Sequence, residues 1–96
     1  MRKDNVEKRV EIKIYGIVQG VFFRANTRDV AVNLGLRGIV RNLRDGSVEI
    51  IAEGYEEDLI TLISFAKKGP PSAKVYDIEI VWKEPQGNLP FFKITY

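Results

Sequence analysis

A glycine-bearing loop and the arginine that follows it are the first groups in this sequence whose types and spacing could do chemistry. The loop runs from Gly16 to Val21 and leads into a predicted helix that begins at Phe23, with Arg24 in its first turn. Such a loop aims several backbone N–H groups at one point, with the positive end of the helix dipole behind them. The Arg24 guanidinium adds a planar charged fork that suits phosphate or carboxylate oxygens. The combination predicts a site for a phosphate-sized dianion.

A second polar group, Asn42, lies at the end of the second predicted strand. A right-handed crossover through the first helix makes the first two strands parallel and leaves a gap that the third strand fills. The carboxyl ends of the first two strands therefore lie at the same edge of the sheet, about two strand spacings or roughly 10 Å apart. This separation leaves room for a small ligand between the loop and Asn42.

Taken one at a time, these residues have simpler explanations. Gly16 and Gly20 are explained by a turn with positive φ, and Asn42 by the capping of a hairpin. Arg24 alone is more often a solvated helix arginine, and Asp45, which precedes a glycine, is explained by the turn itself. The prediction of a site therefore depends on the residues acting together.

Composition narrows the chemistry further. The 96 residues contain no cysteine and no histidine, which excludes thiol nucleophiles, imidazole bases and the metal sites that need either side chain. Fifteen Lys and Arg against thirteen Asp and Glu give a net charge of +2, a balance that does not indicate a nucleic-acid partner. Any reaction must use arginine, lysine, carboxylates, amides or backbone groups.

The elements that position these groups follow the order β-α-β-β-α-β with a short terminal strand. Strands alternate apolar and polar residues, and helices carry apolar residues at three- and four-residue spacing. The predicted strands are 9–15, 38–43, 47–53, 75–82 and 91–96, and the predicted helices are 23–34 and 55–68. This order is typical of the ferredoxin-like split β-α-β sandwich of the α+β class, with two helices on one face of an antiparallel sheet.

The first nine residues carry charges of both signs and no apolar stretch. They are predicted to be a charged extension (1–9) to one domain (10–96), and they do not resemble a signal peptide. No apolar run approaches the roughly 20 residues that a membrane helix needs. We therefore expect a cytoplasmic monomer without a membrane partner.

Two longer motifs extend the pattern. The segment from Gly16 to Arg24 resembles a signature of the acylphosphatase family, Gly-x-Val-Gln-Gly-Val-x-Phe-Arg, at all seven specified positions. A second family signature, Gly-Trp-Val-x-Asn-x-x-Asp-Gly-x-Val, is similar to residues 38–48, with Ile39 in place of tryptophan. The resemblance covers about residues 10–96, and the Ile39 departure is expected to affect packing rather than a catalytic group.

The resemblance implies an enzyme that hydrolyses acyl phosphates to a carboxylate and inorganic phosphate without a metal or cofactor. It assigns phosphate binding to Arg24 and to the backbone amides of the loop, and orientation of the attacking water to Asn42. The loop residues that it implies are Gln19, Gly20, Val21 and Phe22.

Three other functions remain open at this point. The fold order also suits an RNA-binding module, although the predicted open face of the sheet carries one aromatic residue and three carboxylates, which disfavour bound phosphates. The fold could also bind a small phosphorylated metabolite without turnover, or present the Phe91-Phe92 pair as a contact patch, although a core position explains those phenylalanines more simply. The predicted open face consists of Glu11, Lys13, Tyr15, Glu49, Ile51 and Glu53.

Overall fold

The computed structural model describes residues 6–96, in which the chain forms two helices and five strands. The predicted order of elements is confirmed, with ends that shift by one or two residues except in the last strand. None of the described helices is long and apolar enough to cross a membrane. The elements are β1 (Glu7–Ile17), α1 (Phe23–Asn33), β2 (Arg37–Asn42), β3 (Val48–Tyr55), α2 (Glu56–Lys68), β4 (Lys74–Lys83) and β5 (Lys93–Ile94).

The five strands of residues 6–96 form one sheet in the order β4-β1-β3-β2-β5. β3 pairs antiparallel with both β1 and β2, so β1 and β2 run parallel with β3 between them, as predicted. β5 pairs parallel with β2, and the sheet is therefore mixed rather than wholly antiparallel. The reason is geometric, because β4 ends where β2 begins, and a strand that starts from that end runs parallel to β2.

The core lies between one face of the sheet and the two helices. Alternate residues of β1 and β3 are at most 1% exposed, which confirms the period-2 pattern of the sequence. The rings of Phe23 and Phe65 join the two helices, with centroids 5.8 Å apart. Burial of these side chains contributes most of the stability of a domain of this size. The buried apolar strand residues are Val10, Ile12, Ile14, Val40, Val48, Ile50 and Ala52, and the buried apolar helix residues are Phe23, Ala31, Leu59, Leu62, Ile63 and Ala66.

The two ends of the chain differ most from the sequence prediction. β1 begins at Glu7, so residues 7–9 of the predicted extension pair with β3. Residues 1–5, the remainder of that extension apart from Val6, lie outside the described residues. The terminal strand is reduced to Lys93–Ile94 because only Ile39 and Val40 of β2 pair with it.

Glu53, which was predicted to lie on the open face of the sheet, forms a buried ion pair with Arg9. Glu53 is 6% exposed and accepts a hydrogen bond of 2.8 Å from Nη1 of Arg9, which is 7% exposed. The Glu53 carboxylate also accepts the backbone N–H groups of Gln86 and Gly87, at 2.8 and 3.1 Å. Arg9 also bonds Glu11 at 3.2 Å. The prediction that Glu53 faces solvent was wrong, because the chain after β4 folds back over it.

The connecting segment 84–92, which links β4 to β5, therefore has fixed contacts at the start of β2. The Gly38 N–H donates to the Pro90 carbonyl at 2.9 Å, and farther along the Thr95 N–H donates to the Val40 carbonyl at 2.9 Å. Together with the Glu53 contacts, these bonds direct the chain along β2 toward the end of the sheet where Asn42 lies.

The adjacent phenylalanines have different environments. Phe92 is 5% exposed and belongs to the core, as expected for a packing residue. Phe91 is 82% exposed, and its ring centroid lies 4.6 Å from Cζ of Arg37. The expectation of a core position is wrong for Phe91, which covers a guanidinium group instead.

Hydrogen bonding sets the ionisation of Glu53. Burial alone would raise the pKa of Glu53, but the N–H of Gln86, the Arg9 guanidinium and the N–H of Gly87 together lower it. Because the pKa of Glu53 is lowered in the folded state, its ionised carboxylate stabilises the fold at pH values above the ordinary glutamate pKa of about 4.3. That contribution is lost as the pH falls through the lowered pKa.

Removal of this carboxylate is expected to destabilise the fold. Glu53→Ala leaves Arg9 buried without its main partner, and we expect a loss of about 3 kcal/mol in the free energy of unfolding, measured by urea denaturation at pH 7. Glu49→Ala is the control, because it removes the partner of Arg41 in an ion pair that is more exposed than the Arg9–Glu53 pair. We expect it to lower the free energy of unfolding by less than about 1 kcal/mol. Equal losses in the two variants would contradict a structural role for the Arg9–Glu53 pair.

Candidate active site

The loop after β1 turns sharply at two residues before α1 begins. Gly20 has φ +75°, and Phe22, the residue that caps α1, has φ +64° and ψ +20°. Among the described residues, Phe22 is the only one other than glycine with positive φ. This conformation is costly for a bulky residue and is typical of functional loops.

The amino end of α1 is open to a ligand. No side chain caps the helix at Phe22, and no acidic residue occupies its first turn. The first N–H groups of a helix have no acceptor within the helix and carry the positive end of its dipole. The Phe22 carbonyl, by contrast, is held by the backbone N–H and the side-chain amide of Asn26, at 3.0 and 2.8 Å. The arrangement therefore favours a bound anion.

The Gln19 side chain fixes the loop against the β2–β3 hairpin. Its Nε2 atom donates to the carbonyls of Leu43 and Ser47, at 2.8 and 2.9 Å. These carbonyls belong to the turn that follows Asn42. Gln19 was predicted to offer its backbone amide to phosphate, and its side chain additionally sets the distance between the loop and Asn42.

A cavity of about 280 Å³ lies between the loop, the amino end of α1 and the end of β2. It brings together Gly20, Phe22, Arg24 and Asn42, four of the six predicted site residues. Gln19 and Val21 are not among the described residues that line it. The lining residues that the sequence did not indicate as site residues are Val18, Phe23, Ala25 and Ile94.

Asn42 lines this cavity and carries an unused hydrogen-bond acceptor. Its Oδ1 atom is inaccessible to bulk solvent and has no hydrogen-bond partner among residues 6–96. Buried polar atoms almost always have a partner, so an unsatisfied amide oxygen on a residue that lines a cavity points to a bound water or ligand group. A hairpin cap, the simpler explanation of Asn42, would have used this oxygen.

Arg24 is half-buried and lies beside an aromatic ring. Its Cζ atom is 5.2 Å from the ring centroid of Tyr96, which follows β5. No carboxylate of the described part of the chain forms an ion pair with it, whereas Arg9, Arg28 and Arg41 are all paired. The Arg24 guanidinium is therefore available to an anion in the cavity.

Asp45 serves the turn, as predicted. Its carboxylate accepts hydrogen bonds from the hydroxyl and the N–H of Ser47 and lies 3.1 Å from Nζ of Lys13. These contacts, with the Ser47 hydroxyl first, lower the pKa of Asp45 to about 2. Asp45 does not line the cavity.

Two further features bear on the chemistry of the site. Within the described ranges, no group of three carboxylates is arranged to hold a metal ion. Ile39 is half-buried, pairs with Ile51 of β3 and is not among the cavity-lining residues. The departure from the family motif at Ile39 therefore lies outside the cavity lining.

Known proteins share both the sequence and the fold. The family model of acylphosphatases matches residues 10–94. An acylphosphatase of Thermococcus kodakarensis is 48% identical over 87 residues, which cover 91% of this chain and 94% of that protein.

Solved structures agree with this match. The crystal structure of acylphosphatase from Bacillus subtilis has a TM-score of 0.88 and 37% identity, over 93% of this chain and 99% of that one. HypF of T. kodakarensis has a TM-score of 0.79 and 40% identity, but this chain covers only 12% of it. The matched family model, the near full-length relatives and the shared fold show that the chain belongs to the acylphosphatase family.

Proposed function

We propose that this protein hydrolyses the carboxyl–phosphate anhydride of acyl phosphates and releases a carboxylate and inorganic phosphate. The observation that carries the proposal is one cavity that joins the amino end of α1, Arg24, which has no ion-pair partner among residues 6–96, and Asn42, whose Oδ1 atom is unsatisfied. Membership of the acylphosphatase family supports the same reaction.

In this proposal the phosphoryl group binds at the amino end of α1. The backbone N–H groups of the loop 19–22 and the Arg24 fork surround its non-bridging oxygens. These donors are fixed before the substrate arrives, so they stabilise the charge of the transition state with little reorganisation. Gln19 acts as a positioning residue for the loop through its two bonds to the hairpin.

Asn42 orients the nucleophile. Its Oδ1 atom accepts a hydrogen bond from a water molecule, whose oxygen lone pair then faces the phosphorus atom. The separation of Asn42 and the loop by one intervening strand leaves space for that water. Holding the water in line with the scissile bond accelerates the reaction by proximity and orientation.

The leaving group explains why this chemistry needs no histidine. A P–O bond forms to water, the P–O bond to the acyl group breaks, and the electron pair leaves with the carboxylate. The conjugate acid of that carboxylate has a pKa of roughly 4 to 5, so no general acid is required. The protons of the attacking water pass to the phosphate product and to solvent. No cofactor enters any step.

The absence of a titrating base predicts an unusual pH profile. We expect phosphate release from benzoyl phosphate, measured with EDTA present, to vary less than about threefold in rate between pH 5 and 8. The chain has no histidine, and the pKa of Asp45 near the site is lowered to about 2, below this window. A bell-shaped profile centred near pH 7 would contradict the mechanism, and no release at any pH would contradict the function.

We further propose that the enzyme acts as a cytoplasmic monomer without a nucleic-acid or membrane partner. The open face of the sheet supports the absence of a nucleic-acid partner, because Glu11 and Glu49 pair with Lys83 and Arg41 and so make these cations less available to phosphates. Sedimentation at working concentration should give a species of about 11.0 kDa.

One alternative has specific support. The similarity to a small part of HypF shows that this fold also occurs within a much longer chain. A domain that binds a phosphorylated metabolite without turnover would retain phosphate binding and show no hydrolysis of acyl phosphates. The hydrolysis assay therefore distinguishes the two functions.

A further inference from the structure

Two exposed aromatic residues lie close to Arg24, since Phe22 lines the same cavity and the Tyr96 ring lies beside the Arg24 guanidinium. Phe22 lines the cavity although the residue is 76% exposed, which puts Phe22 at the cavity rim. Tyr96 is 95% exposed, and its ring centroid lies 5.2 Å from Cζ of Arg24. Ile94, two residues before Tyr96, lines the cavity, whereas Tyr96 is not among the described residues that line it.

The position of Phe22 is not explained by packing. Its backbone has φ +64°, which a bulky side chain adopts only at a cost in energy. A ring that is three-quarters exposed gains little from the core in return. An aromatic residue held in this way at a cavity rim is suited to contact with a ligand.

The proposed phosphate position decides which part of the substrate meets these rings. With the phosphoryl oxygens at the loop amides and Arg24, the bridging oxygen and the acyl carbon point away from the helix end, toward the cavity rim. Phe22 lines that rim and Tyr96 lies against Arg24 just outside the cavity lining, so both residues are close to the path by which the acyl group leaves. Neither side chain offers a charged group there, so a charged acyl end gains nothing from them.

We propose that Phe22 and Tyr96 form an acyl subsite that selects acyl phosphates with aromatic or bulky apolar acyl groups over those with short ones. This inference rests on the proposed function, because it takes the cavity as the phosphate site of that reaction. The rings act by covering apolar surface of the acyl group. Their contribution to kcat/KM therefore depends on the size and polarity of the acyl group and not on the phosphate. An aromatic contact of this kind changes an affinity by up to roughly tenfold.

The test compares kcat/KM for benzoyl phosphate and acetyl phosphate across matched variants. Phe22→Asn removes the ring and keeps a residue that tolerates positive φ, and Phe22→Tyr keeps a ring. Tyr96→Ala and Tyr96→Phe form the second pair. Phe91→Ala removes an equally exposed ring that lies at Arg37, away from the cavity.

The proposal predicts that Phe22→Asn and Tyr96→Ala each lower the ratio of benzoyl to acetyl kcat/KM about fivefold to tenfold. Phe22→Tyr, Tyr96→Phe and Phe91→Ala should leave that ratio within about twofold. An equal fall in kcat/KM for both substrates would overturn the proposal, because the rings would then only position Arg24 or the loop.

A binding measurement separates this inference from the proposed function. Calorimetry with phenylphosphonate and methylphosphonate needs no turnover, and the ratio of their affinities should fall in the same two variants. If the ratio falls while neither acyl phosphate is hydrolysed, the subsite stands and the proposed function fails. If both acyl phosphates are hydrolysed and neither ratio changes, the proposed function stands and the subsite is overturned.

Discussion

Arg24→Lys is expected to lower kcat/KM for acyl phosphate hydrolysis roughly a thousandfold, because a lysine point charge cannot replace the planar fork of the guanidinium. Arg24 lines the cavity at the amino end of α1, and no carboxylate of residues 6–96 competes for it. Its charge is therefore available to the phosphoryl group as negative charge redistributes in the transition state. The measurement is the initial rate of phosphate release from benzoyl phosphate, together with KM.

A conservative change elsewhere on α1 provides the control. Arg28 is exposed at 43% of its side chain and pairs with Asp29, and Arg28→Lys should retain kcat/KM within about twofold. Both variants should unfold at the same urea concentration, since neither arginine belongs to the core. Near-normal turnover by Arg24→Lys would remove Arg24 from the proposed role.

Asn42→Ala is expected to lower kcat about a hundredfold with little change in KM, because it removes the orientation of the water and leaves the phosphate donors in place. The same change should leave stability unchanged or increase it, since the Oδ1 atom is buried without a partner. Loss of activity without loss of stability is typical of a catalytic residue.

Asn33→Ala is the matched control for Asn42→Ala. Asn33 is the exposed last residue of α1, and its loss should leave both kcat and KM within about twofold. A rise in KM with unchanged kcat in Asn42→Ala would contradict the water-orienting role and would assign Asn42 to substrate binding instead.

Local sequence signals predicted most of the fold. The alternation of Val10, Ile12 and Ile14 and the apolar stripe of α2 identify elements whose one face is buried, and tertiary packing agrees with them. The meeting of the loop with Asn42 followed from the handedness of the crossover, which makes β1 and β2 end at one edge. The assignments of Arg24 and Asn42 to particular steps come from the family resemblance.

Several missed features depend on one long-range event, the return of the chain across the sheet. Glu53 resembles any other polar residue of an alternating strand, and only the fold of segment 84–92 buries it against Arg9. The same return of the chain brings Ile94 to the cavity and Tyr96 to Arg24, because two residue pairs hold β5 against β2. Residues so far apart in sequence leave no periodic pattern by which a single sequence could reveal their contact.

The positive φ of Phe22 was also outside the reach of sequence patterns. Glycine and asparagine are the usual signals of that conformation, and phenylalanine is among the residues least expected to adopt it. Gly20, two residues earlier, indicated a turn but not which residue of the turn would be strained. Such local conflicts between residue type and backbone are typical of functional positions.

Hydrolysis of benzoyl phosphate in ¹⁸O-labelled water, with EDTA present, tests the central claim most directly. If a water held by Asn42 attacks the phosphorus of a group held by Arg24 and the loop, the wild-type protein releases phosphate that carries one ¹⁸O atom and benzoate that carries none. The absence of hydrolysis would contradict the proposed activity, and ¹⁸O in the benzoate would show attack at the acyl carbon and contradict the mechanism.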